Sequence, residues 1–65
     1  MITKEEAVNF LKERASWHLK AANKIKADFD IIENDVERIK YNTRIDTANK
    51  YADIATLISE NIKED

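Results

Sequence analysis

Apolar residues recur at steps of three and four along the first half of the chain, at Val8, Leu11, Ala15, Leu19, Ala22, Ile25, Phe29 and Ile32. That spacing keeps them on one stripe of an α-helix, because a helix turns once in about 3.6 residues whereas a strand alternates every second residue. The stripe is read as a buried face. A second stripe runs through Tyr41, Ile45, Ala48, Ala52, Ala55 and Ile62, widened on one side by Tyr51, Ile54 and Ile58. Its small residues at 48, 52 and 55 suit the close approach of a neighbouring helix. Fully burying a large apolar side chain is worth roughly 1.5–3 kcal/mol, whereas an exposed ion pair contributes about 0–1 kcal/mol, so the stripes decide the architecture.

Local signals place the helix ends. Thr3, followed three residues later by Glu6, reads as a capping box, in which the hydroxyl accepts from the Glu6 amide and the carboxylate reaches back to the Thr3 amide. Asp28, Asp30, Glu33, Asn34 and Asp35 form the stretch least suited to a helix interior, since short polar side chains compete for backbone hydrogen bonds. Two further capping pairs fit inside it, Asp30 with Glu33 and Asn34 with Glu37. The preferred reading is helix 1 over about 3–28, a turn within 28–35 and helix 2 over about 35–63. A competing break lies at Asn42-Thr43-Arg44, where Thr43 would cap and the apolar phase slips relative to Val36 and Ile39. Breaks at both sites would give a three-helix bundle. The expected fold is all-α, an antiparallel two-helix hairpin that associates into a four-helix bundle, with residues 1–65 as one helical domain.

Composition sharpens this picture. At 65 residues a single core is marginal, because folding at this size buries only about 60% of the surface of the unfolded chain. Cysteine is absent, which removes both disulfides and thiolate metal sites and is compatible with a reducing cytoplasm, the expected location. Association with another subunit is then the expected supplement. Glycine and proline are absent too, which disfavours a turn-rich β fold and leaves Asn and Asp for any position of positive φ. No apolar run follows Met1 and none is long enough to span a bilayer, so no membrane partner is expected.

The net charge of −2 argues against a dedicated nucleic-acid binder. The charges are unevenly spread, at net +3 over residues 1–27 and net −5 over residues 28–65, so antiparallel helices attract modestly. Candidate catalytic chemistry is thin. His18 is the single histidine, and without a second His or any Cys it lacks the convergent partner that a metal site or general base needs, so it is read as a boundary residue beside the stripe. The acidic run from Asp28 to Glu37 lacks the glycine and ligand series of a calcium loop and reads as a solvated turn. No glycine-rich phosphate loop is possible, and no cofactor, metal or enzymatic activity is expected.

The most informative feature is a second apolar strip on helix 1. Phe10, Trp17 and Ala21 lie seven and four residues apart, on a line rotated roughly 100° from the main stripe. One partner helix would leave the two aromatics partly exposed, as a partner-binding surface does. Lys20 and Lys24 flank the strip, and with Trp17 they would suit an RNA or phosphate contact by stacking and charge. Phe10, Trp17, Lys20, Ala21 and Lys24 are accordingly the candidate partner-binding residues. The expected function is a small non-catalytic protein-protein interaction module, an adaptor, inhibitor or regulatory subunit whose partner is itself as a homodimer, another protein, or both. An RNA-binding hairpin dimer and a purely structural self-assembling bundle are the alternatives. The format resembles that of small hairpin-dimer proteins, one of them RNA-binding, an architectural likeness that carries no residues over.

Overall fold

The structure, a computed structural model, describes residues 1–61, and the chain is an all-α hairpin of two long helices, α1 (Lys4–Asp28) and α2 (Asp35–Asn61). His18 of α1 meets both Arg44 and Tyr51 of α2, and Phe10 and Leu11 share a groove with Ile54 and Ile58, so the helices run antiparallel. The positions Lys63 and, in the second stripe, Ile62 lie outside the described residues.

Each helix begins on a capped backbone. Thr3 has extended dihedrals, and its hydroxyl oxygen accepts from the Glu6 N–H at 3.1 Å, which satisfies one of the donors left free at a helix start. The Glu6 carboxylate accepts from the same hydroxyl at 3.2 Å, so it engages the Thr3 side chain where the expected capping box has it reach the Thr3 amide. At the start of α2, the Asn34 side chain accepts from the Glu37 N–H at 3.3 Å and the Asn34 carbonyl accepts from Arg38 N–H at 2.9 Å.

The turn occupies residues 29–34. Phe29 leaves α1 in an extended conformation while its N–H still donates to the Ile25 carbonyl, at 2.9 Å. Asp30 then organises the reversal, its carboxylate accepting from the Ile32 and Glu33 N–H groups at 3.0 and 3.4 Å and its carbonyl from Asn34 N–H at 2.9 Å. Arg38 reaches back over it, donating to the Ile32 carbonyl at 3.2 Å and pairing with Asp35 at 2.7 Å. Among the described residues no backbone φ is positive, so the chain reverses without glycine and without an Asn or Asp in the left-handed region. The competing break at Asn42-Thr43-Arg44 lies inside α2, where the Thr43 hydroxyl donates to the Ile39 carbonyl at 2.9 Å and so stays within the helix.

Among the described residues the core is narrow and made of small side chains, Val8, Ala15 and Ala22 from α1 and Ala48 and Ala55 from α2, with one buried polar residue, His18. The α1 members and the α2 members each recur every seven residues, so burial follows one line along each helix. Much of the expected stripe falls outside it. Leu19, Phe29 and Ile32 are exposed, and Ala52 lies on the surface. Two causes account for this. Alanine against small residues brings the helices close and shields only a thin arc of each, and Phe29 and Ile32 belong to the turn rather than to α1.

The hairpin is a rod of 52 × 15 × 14 Å with a radius of gyration of 14.8 Å, against about 11 Å for a compact domain of this length. Its accessible surface of 5238 Å² exceeds the roughly 4,300 Å² typical of a compact monomer of this mass. Among the described residues no large side chain is fully buried. Among the described residues no helix is long and apolar enough to cross a membrane.

Candidate interaction face

Both helices leave large apolar side chains exposed, and those of Phe10 and Ile54 line one groove. On α1, Phe10 is 60% exposed and Trp17 50% exposed; on α2, Ile54 and Leu57 are likewise exposed. Ile2, Glu6, Ala7, Phe10 and Leu11 from the N-terminal end line an open groove of about 510 Å³ with Ile54 and Ile58. Helical spacing continues the same flank of α2 through Thr47 and Thr43 to Val36 and Ile39, the last two also exposed. On another flank Lys12, Thr56, Ser59 and Glu60 surround a smaller hollow of about 230 Å³ that Ala52 and Ala55 also line.

Trp17 sits near the middle of the apolar face, and two guanidinium groups converge on it. Arg14, one turn earlier on α1, and Arg44, from α2, each place Cζ 5.0 Å from the centre of the indole ring, within range of cation–π attraction. Arg44 also crosses to His18, with Nη1 3.0 Å from Nδ1. A guanidinium only donates, so Nδ1 accepts, which makes the imidazole neutral with its proton on Nε2. The ring is stacked on Tyr51, centroids 5.6 Å apart at 16°, and meets Trp17 edge-on at 4.9 Å. Desolvation of the imidazole, then the charges of Arg44 and Arg14, hold the His18 pKa below the usual histidine value.

His18 is therefore a buried strut between the helices rather than the boundary residue its place beside the stripe suggested. It fixes Arg44 from behind while Trp17 flanks it from the side. Arg38 pairs with Asp35 and Lys40 with Glu37 near the turn, and among the described residues neither Arg14 nor Arg44 takes part in an ion pair.

The candidate residues separate into two groups. Phe10 lines the groove and Trp17 anchors the arginine cluster, about 10.5 Å further along α1 by helical rise. Ala21 is half-buried next in line, and Lys20 and Lys24 are exposed. The cations brought to the indole are Arg14 and Arg44, not the two lysines. Arg14 was legible as an i, i+3 neighbour of Trp17, but Arg44 comes from the other helix and carries no local signal. Among the described residues no group of three or more His, Cys, Asp or Glu is placed to hold a metal ion. Compared with known proteins, the chain matches no family model, no curated protein and no solved structure.

Proposed function

We propose that this hairpin is a small non-catalytic interaction module, an adaptor, inhibitor or regulatory subunit, that binds another protein through the face carrying Phe10, Trp17, Lys20, Ala21 and Lys24. The observation that carries the reading is an inversion of the usual burial order: alanines fill the core while Phe10, Trp17, Ile54 and Leu57 are exposed, Phe10 and Ile54 lining one groove. A contiguous apolar surface with aromatic anchors is what partner-binding sites present. The chemistry of the face is that of contact, with an indole, guanidiniums and aliphatic side chains and no activated nucleophile beside a base.

A second reading, a homodimeric four-helix bundle, is favoured by the continuation of the apolar flank onto α2 at Val36 and Ile39. Solution mass at micromolar concentration, measured for the native chain and for Phe10→Ala/Trp17→Ala, separates the two. The module reading expects the mass of one chain in both cases, with helix content retained in the variant. Twice the chain mass in the native protein, falling to one chain in the variant, would establish the bundle instead, since association and folding are linked by mass action.

A further inference from the structure

We propose that Arg14 and Arg44 form a receiving site for a carboxylate, carried by an acidic amphipathic helix of a different protein whose apolar side chain, two turns away, enters the Phe10 groove. The proposal rests on the reading of this face as a protein-binding surface and adds the chemistry of the partner.

Uncompensated charge is the first argument. The chain has 13 acidic residues against 11 basic ones, yet neither Arg14 nor Arg44 is ion-paired among the described residues. Both guanidiniums lie 5.0 Å from one ring centre, so their charges are no further apart than twice that distance. Two cations bordering one indole, beside a neutral imidazole that accepts from one of them, make this part of the face positive and attract an anion to it. Arginine suits a carboxylate in particular, because its planar fork donates two parallel hydrogen bonds. Arg44 is also already positioned, which lowers the ordering cost of binding.

The same charges argue against a second copy as the occupant. The cluster lies near the middle of both helices, since His18 sits between Arg44 and Tyr51. A two-fold pairing through the centre of this face sets four guanidiniums against one another, with the exposed Lys20 and Lys24 beside them. An RNA is disfavoured by the groove itself, which is apolar and carries Glu6 on its rim. The spacing of groove and cluster sets the rest. Phe10 and Trp17 are seven residues apart on one line of α1, so a helix lying along it meets them with residues of the same spacing.

The test is a titration of the full chain, followed by the fluorescence of its single tryptophan, with a synthetic amphipathic helix bearing a central Glu and a Leu seven residues to either side. This design serves either orientation of the peptide. A twin with Gln at the centre is the control. The Glu peptide is expected to bind about tenfold more tightly than its twin, as a charge-assisted pair on a partly desolvated face provides. Arg14→Gln and Arg44→Gln are each expected to remove that preference while circular dichroism stays helical. The guanidinium bonded to His18 is that of Arg44 and not Arg14, so Arg14→Gln decides the matter even if Arg44→Gln loses its fold. Equal binding of the two peptides, or a preference that survives Arg14→Gln, overturns the acidic site and leaves the protein-binding reading standing. Binding of a 20-nucleotide single-stranded RNA in place of the Glu peptide, or no response to either peptide, overturns both.

Discussion

Nη1 of Arg44 lies 3.0 Å from Nδ1 of His18, bridging 26 residues of sequence and joining the two helices through a pair that holds only while the imidazole is neutral. Protonation would turn the acceptor into a donor and add a third positive charge to those of Arg14 and Arg44.

Stability is therefore expected to fall in mild acid. The folded-state pKa of His18 is depressed, so between the ordinary value of 6.5 and the folded value the unfolded chain binds more protons than the folded one. The His18 contribution is fully present above 6.5 and is lost as pH falls through the folded value. Urea midpoints measured from pH 8 down to pH 5 should decline, and His18→Gln should flatten that decline. An equally steep curve in the variant would assign the effect to other groups.

Overpacking the alanine line should separate the helices. Ala22 is fully buried and Ala48 only 2% exposed, so Leu at either position is expected to cost about 1–3 kcal/mol. In a chain of this size that is enough to unfold much of the population. Ala27 is exposed, and Ala27→Leu serves as the control, with no comparable loss in urea unfolding.

That alanine line also shows where sequence reading stopped. Periodicity located both helices, and the Thr3, Asp30 and Asn34 caps were legible because each acts within three residues of its own position. The buried apolar residues Val8, Ala15, Ala22, Ala48 and Ala55 all belong to the expected stripes, but which other stripe members stay exposed was not legible. Leu19 has the right spacing and the right chemistry, yet it is exposed because the partner's small side chains bring the two axes together and narrow the covered arc. Of the candidate face, Phe10 and Trp17 could be read from helix 1 alone, whereas Ile54, Ile58 and Arg44 join it only through the hairpin's closure.

Loss of the α2 cap should be measurable. Asn34→Ala removes the acceptor for Glu37 N–H and is expected to cost about 1 kcal/mol. Asp35→Ala breaks only an exposed pair with Arg38, for which about 0–1 kcal/mol is expected. The double substitution should also favour continuation of the helix through the turn, detectable as a change in solution mass. Thermal unfolding that ranks Asp35→Ala as the more damaging single change would contradict the assignment of Asn34 as the cap.

The two aromatics of the face should differ in their effect on folding. Phe10 borders an open groove, while Trp17 touches His18 and both arginines, so Trp17→Ala is expected to destabilise more than Phe10→Ala. Each cation–π contact at an exposed site is worth about 0.5–1 kcal/mol. Urea unfolding of the single variants at low protein concentration measures the difference, and equal midpoints would mean that the arginine contacts add nothing to the fold.

The seven-residue recurrence of the buried small side chains has a consequence for alignment. Sliding one helix past the other by that interval keeps the α1 line of Val8, Ala15 and Ala22 over the α2 line of Ala48 and Ala55, so the spacing of the buried residues alone does not fix the register. His18 breaks the degeneracy, because Leu11 and Ile25 occupy the positions seven residues to either side of it and neither can accept from Arg44. A single buried polar contact thus works like the notch of a key: it adds little to the strength of the pairing, but it admits one alignment of the two helices and rejects its neighbours.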